Sequence, residues 1–362
     1  NRGVTKEMEM AVDVKLWGTA KDKKVNLYTI TNKLGGSLVL SDFGATVVQM
    51  NMPAPDGTMA DVVLGYDDLK DYEATPNYFG ATVGRFGNRL RNGKFSLDGV
   101  EYRASCNEGE NSLHGGIDSY DKRVWNASID ETANSLTFSL VSPDGDAGFP
   151  GELTISSTYT LTDDNVVRMD IRAETDNTTL CNIVHHSYFN LAGHSNGSVL
   201  DQELCINSDF YTPVDDELII TGEVLKVAGT PFDFRTPTLI GEKIAEVPNS
   251  GAGRMEKGSS AGYDHNWCLL GEPNMLRPVL TARDPKSGRG FELSTNQPGV
   301  HLYTGGYLSS DVIGKGEKPY QQFSGFTLET QTFPDSPNLS HVPQARLEVG
   351  DTYHHVIEFR FF

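Results

Sequence analysis

Short segments in which apolar and polar residues alternate, each closed off by Gly, Asp, Asn or Pro, run through most of this chain. KVNLYTITN, GSLVLSDFG, ATVVQMNMP, GKFSLDGVEYRAS, LTFSLVSP, GELTISSTYTLT, VVRMDIRAET, TLCNIVHHSYFNL and HVIEFRFF all show the pattern. In an extended backbone successive side chains point to opposite faces, so a period of two makes one face apolar and the other polar. Val, Ile, Thr, Tyr and Phe dominate these segments and suit a pleated surface. The punctuating clusters NKLGG, APDG, SPDGDAGFPG and TDDN supply turns. Helical periodicity is rare, and GYDDLKDYEA is its best instance. Many strands joined by tight turns with almost no helix specify an all-β fold, an antiparallel sandwich or barrel.

At 362 residues the chain is long enough for two domains, but large β folds often exceed ~200 residues as one unit. No linker divides it. The Gly/Ser-rich part of EVPNSGAGRMEKGSSAGYDHNW reads as a surface connection, and there is no internal repeat. A single domain spanning residues 1–362 is expected.

Acidic residues outnumber basic ones by 49 to 30, giving a formal net charge of −19. Such a field repels phosphate backbones and anionic membranes, so nucleic acid is not an expected partner. It also disfavours a multiply charged anionic substrate unless a local Arg cluster overrides it. No apolar run reaches the ~18 residues of a membrane-spanning helix. The four cysteines, Cys106, Cys181, Cys205 and Cys268, form no C-x-x-C pair. They read as free, mostly buried thiols rather than zinc ligands. The chain begins NRGVTKEMEM without an initiator Met, consistent with a processed or trimmed N-terminus. That leaves the compartment open between cytoplasm and an exported location.

Six stretches break the pattern of a plain β core. GRFGNRLRNGKF (84–95) carries Arg85, Asn88, Arg89 and Arg91. NSLHGG (111–116) carries His114, and HHSYFNLAG carries His185 and His186. GYDHNW (262–267) carries Asp264 and His265, QPGVHLYTGGYL (297–308) carries His301, and TLETQTFPDSPN (327–338) carries Glu329. Taken singly, each has an ordinary structural reading. An Arg-rich turn is usually solvated, a lone His is usually a satisfied structural group, and a Glu in a strand usually faces water. His-Gly-Gly suits a turn, and Asp264 suits an Asx-turn. Metalloprotease, P-loop and dinucleotide fingerprints are absent. The histidines are too scattered to imply a metal site.

Taken together and in this order, the six resemble the aldose 1-epimerase (galactose mutarotase) family. DVVLGYDDLKDY (61–72), SPDGDAGFPGEL (142–153) and YTPVDDELIITGE (211–223) agree with it, and the resemblance covers nearly the whole chain. It implies a large single-domain antiparallel β-sandwich. It places the general acid at His186 and the general base at Glu329. It places sugar-binding groups at Asn88, Arg89, His114 and Asp264. The chain departs from the family pattern twice: His185 stands where Asn usually precedes the catalytic His, and His301 stands where Gln usually follows P-G-V. His301 is therefore expected at the sugar with a shorter reach and a titratable ring.

The chemistry implied is anomer interconversion of a free hexose such as galactose or glucose. One group takes the proton from the C1 hydroxyl, and another gives a proton to the ring oxygen as the ring opens. The aldehyde rotates about C1–C2 and recloses. No net proton, water or electron is consumed, so neither cofactor nor metal is needed. Because neighbouring strand residues face opposite ways, His186 is expected in the cleft and His185 on the other side in a structural hydrogen bond. Trp267, Tyr303 and Phe333 are candidate apolar platforms for one sugar face. Alternatives are a sugar-phosphate epimerase, a two-carboxylate glycosidase using Asp264 and Glu329, and a sugar-binding module without catalysis.

Overall fold

A computed structural model describes residues 12–248 and 261–362; the Gly/Ser-rich stretch 249–260 lies outside them. Three antiparallel sheets carry most of the strands. The largest has nine, in the spatial order Asn126–Asp130, Ser135–Ser142, Leu153–Leu161, Val166–Thr175, Tyr353–Phe361, Gly290–Thr295, Arg277–Arg283, Glu203–Ile206, Thr238–Leu239. A six-stranded sheet runs Tyr188–Phe189, Phe326–Gln331, Gly299–Tyr303, Asp264–Cys268, Phe210–Thr212, Leu225–Lys226. A five-stranded meander, Asp13–Ala20 to Met59–Asp61, follows chain order.

The alternation read from the sequence is the alternation of burial. In Leu153–Leu161 every odd-numbered residue is buried, while the residues between them are exposed or half-buried. The apolar faces of the three sheets meet in the largest cluster of buried residues. Phe189 of the six-stranded sheet sits 5.0 Å, ring centre to ring centre, from both Phe291 and Phe359 of the nine-stranded sheet. Tyr28 of the meander meets Phe138 of the nine-stranded sheet at 6.0 Å. Fully burying side chains of this size contributes roughly 1.5–3 kcal/mol each. The helical turn expected in GYDDLKDYEA forms as a short α-helix, Leu69–Ala74. All-β antiparallel architecture, as expected, is what the chain builds.

Three local readings need correction. TLCNIVHHSYFNL is not one strand. It breaks into Thr179–Leu180, Val184–His186 and Tyr188–Phe189, each paired in a different sheet. The break before Tyr188 falls at Ser187, whose Oγ lies 2.6 Å from His185 Nε2. Asp13–Ala20 is a strand that the sequence pattern does not announce, because its residues are mostly exposed at a sheet edge. The Arg-rich turn is not wholly solvated. Arg85 is only 1% exposed. Its Nη1 donates to the carbonyls of Pro150 and Gly151, both at 2.8 Å, and its Nη2 to Ser142 Oγ at 2.7 Å. Arg85 thereby ties the GRFGNRL turn to the SPDGDAGFPGEL loop.

Candidate active site

The six-stranded sheet turns one face toward the core and the other toward a cleft of about 790 Å³. Register decides which residues share the cleft face. Asn266, His301 and Glu329 are direct cross-strand partners, and so are Asp264, Tyr303 and Thr327 in the next row. Side chains directly opposite one another in a sheet point the same way. The intervening residues His265, Trp267, Leu302 and Leu328 belong to the other face and are buried. The sheet thus aims a carboxyl group, an imidazole and a second carboxyl group at one hollow, and aims apolar rings at the core.

Shorter ribbons close the cleft from the other side. His186 ends the Val184–His186 strand, which pairs with Ala81–Val83. Arg89 pairs with Leu113 in a two-residue ribbon, which fixes Asn88 on one side and His114 on the other. Residues 114–116 all have positive φ, at 51°, 89° and 86°. At Gly115 an added Cβ would fall 2.0 Å from the Gly84 carbonyl oxygen, so only glycine allows this approach.

His186 Nε2 lies 3.5 Å from Glu329 Oε1, and His114 Nε2 lies 3.8 Å from the same oxygen. Glu329 is 2% exposed. Its Oε2 accepts from Thr327 Oγ at 2.9 Å, while its Oε1 has no hydrogen-bond partner within the protein. That leaves one carboxylate oxygen braced and the other open to a ligand.

The two histidines are not equivalent. The backbone N–H of Asn88 donates to His114 Nδ1 at 2.9 Å, so the ring carries its proton on Nε2. Burial, together with the neighbouring His186, Arg89 and His301, pushes the His114 pKa well below its ordinary value. His114 is a fixed neutral donor. The ligand atoms of His114, His186 and Glu329 lie within 4.8 Å of one another, a spacing a transition metal would tolerate. The His114 nitrogen in that set presents a hydrogen rather than a lone pair, which suits an oxygen ligand and not a cation.

His301 Nε2 lies 2.5 Å from Asp264 Oδ1. Burial alone would raise the Asp264 carboxyl, but the His301 hydrogen bond and the charge of Arg89 outweigh it and hold the pKa at about 2. Asp264 therefore sits in a strand with its side chain bonded across the sheet, not in an Asx-turn. Arg89 Nε and Nη2 donate to the two oxygens of Glu108 at 2.6 and 3.3 Å. Burial disfavours the guanidinium charge, and the Asp264 and Glu108 carboxylates more than restore it.

The seven residues expected at the sugar, Asn88, Arg89, His114, His186, Asp264, His301 and Glu329, all line this one cleft. His185 does not. Its ring is buried beside Tyr159 at 6.3 Å and bonded to Ser187, as the alternation of facing requires. Of the candidate platforms, Tyr303 lines the cleft. Trp267 packs in the core with its Nε1 on the Phe232 carbonyl at 2.9 Å, and Phe333 packs with Ile220 and Val342. Tyr78 is a wall residue that sequence reading missed. Its ring stands 4.8 Å from His114 and 5.5 Å from His186. Tyr188 and Glu108 were missed as well. Tyr188 lies inside the HHSYFNL motif, which was the available signal.

A family model described as aldose 1-epimerase matches residues 26–360. The chain is 41% identical to galactose mutarotase of Bos taurus over 319 residues, 88% of this chain and 89% of that protein. It is 36% identical to aldose 1-epimerase of Haemophilus influenzae over 339 residues, 92% of this chain and 95% of that protein. Among solved structures, galactose 1-epimerase from Lactobacillus acidophilus NCFM matches with a TM-score of 0.84 at 27% identity, covering 98% of this chain and 99% of that one.

Proposed function

The chain belongs to the aldose 1-epimerase family, and on that footing we propose that it interconverts the α and β anomers of free hexoses such as galactose and glucose, with Glu329 as general base and His186 as general acid. The two reacting oxygens of a cyclic hemiacetal are bonded to the same carbon. A donor and an acceptor must therefore converge within a few ångströms, and the 3.5 Å between His186 Nε2 and Glu329 Oε1 is the observation that carries this reading.

Glu329 takes the C1 hydroxyl proton on its open oxygen, Oε1. His186 delivers a proton to the ring oxygen as the C1–O bond breaks, and both transfers reverse after rotation. His114 is unsuited to the acid's part. Its Nδ1 already accepts the Asn88 N–H, so an imidazolium there would set two N–H groups against each other. It serves instead as a constant donor to a sugar oxygen. Asp264, aligned by His301, accepts from hydroxyls, and Arg89 with Asn88 donates to them. A hexose whose hydroxyls do not match leaves buried polar groups unpaired, which costs strongly.

Polarimetry on freshly dissolved α-D-glucose and α-D-galactose tests the activity. The His186→Asn variant should keep its circular dichroism spectrum and lose about 10²–10⁴-fold in kcat. Undiminished turnover in that variant would refute the assignment.

A further inference from the structure

We infer that Glu108 sets the charge selectivity of the cleft, by occupying the guanidinium fork of Arg89 that would otherwise receive a carboxylate or phosphate on the sugar. The inference rests on the reading of this cleft as a hexose site.

Arg89 and Glu108 meet fork to fork, with Nε to Oε1 at 2.6 Å and Nη2 to Oε2 at 3.3 Å. Their side chains are only 6% and 18% exposed, and both line the cleft. This is the arrangement by which an arginine grips a ligand's carboxylate or phosphate. Here the protein has supplied the anion itself. Glu108 is fixed in place, since its backbone exchanges two hydrogen bonds with Asn111, at 3.1 and 3.0 Å.

The remaining charge in the cleft acts in the same direction. Arg89 is the one guanidinium or ammonium group among the described lining residues, against the three carboxyl side chains Glu108, Asp264 and Glu329. Asp264 is held ionised, with its pKa at about 2, and His114 is held neutral. An anionic sugar would enter a pocket whose one guanidinium is already paired and whose general acid, His186, stands 3.5 Å from Glu329, and would face like charge at short range. A neutral hexose needs only single hydrogen bonds from that arginine. The excluded ligands are hexuronates and hexose phosphates; the admitted class is the uncharged aldoses.

The test compares kcat/KM for anomer interconversion of D-galactose and D-galacturonate, followed by NMR, in the parent protein, Glu108→Gln, Glu108→Ala and the double variant Glu108→Gln/Arg89→Gln. The ratio of the two substrates cancels any general loss of Arg89 positioning. Releasing the fork should raise the galacturonate-to-galactose ratio by about tenfold or more, the scale of relieving one like-charge contact. Adding Arg89→Gln should remove that gain. An unchanged ratio in both single variants, or an equal gain in the double variant, would overturn the role of Glu108. A parent protein inactive on galactose would instead overturn the underlying functional reading.

Discussion

His301 Nε2 and Asp264 Oδ1 are bonded at 2.5 Å along a diagonal between neighbouring strands, Asp264 standing directly opposite Tyr303 and His301 opposite Asn266. This bond makes the ionisation of Asp264 part of the fold's stability. The ordinary carboxyl value of 3.8 is lowered to about 2. The stabilisation is therefore fully present above pH 3.8 and is lost as pH falls toward about 2.

His301→Leu should abolish that bond. It should lower stability at neutral pH by on the order of 2 kcal/mol, and should raise KM for galactose as Asp264 loses its alignment. His301→Gln keeps an N–H donor and should recover most of both. Urea unfolding and steady-state polarimetry measure the two effects. A Leu variant as stable and as tight-binding as the parent would show that the pair positions nothing.

Acid should weaken this protein through histidines that the fold keeps neutral. Burial pushes His185 and His265 down to about 3 and His355 to about 4, from an ordinary 6.5, and lowers His114 well below its usual range. All four stay neutral in the fold while the unfolded chain takes up protons below 6.5. Stability is then complete above pH 6.5 and declines as pH falls toward 4, by up to about 1.4 kcal/mol per pH unit for each histidine. The urea midpoint should drop steeply across that window, and His355→Gln should flatten the slope by one proton. A midpoint independent of pH there would contradict the account.

Arg85 and Arg89 should behave oppositely although four residues apart. Arg85→Lys cannot reach the carbonyls of Pro150 and Gly151 and the Ser142 hydroxyl with one ammonium. It should cost roughly 3 kcal/mol or more, because buried acceptors lose a charged partner. Arg89→Lys should be milder in melting temperature and severe in KM. Thermal melts paired with kinetics on the folded fraction separate them; an Arg85→Lys melt equal to the parent's would remove Arg85 from its structural role.

The sequence was legible where a residue's job is repeated along the chain. Burial alternates through Leu153–Leu161 as the letters do, and a period of two is enough to see it. It was legible at His186, Glu329 and their partners because motif order carried the resemblance. It was not legible where a role exists only through a distant neighbour. Glu108 acquires its meaning from Arg89, and Tyr78 from two histidine rings; nothing in either local sequence states this. Asp13–Ala20 was missed because an edge strand with water on most sides has little apolar pattern to display. TLCNIVHHSYFNL misled because a run of apolar letters does not show which sheet each short piece will join.

The cleft is built from two unlike supports. Its proton acceptors, Glu329 and Asp264, hang from a continuous sheet, and its nitrogen donors hang from two- and three-residue ribbons, His186 and Arg89 within them and His114 one residue beyond. Reaction distance is then a property of how one scaffold is hinged on the other. A change at the seam, for instance at Ser187 between the His186 ribbon and the sheet strand Tyr188–Phe189, would detune catalysis by geometry alone, leaving every charge in the cleft untouched.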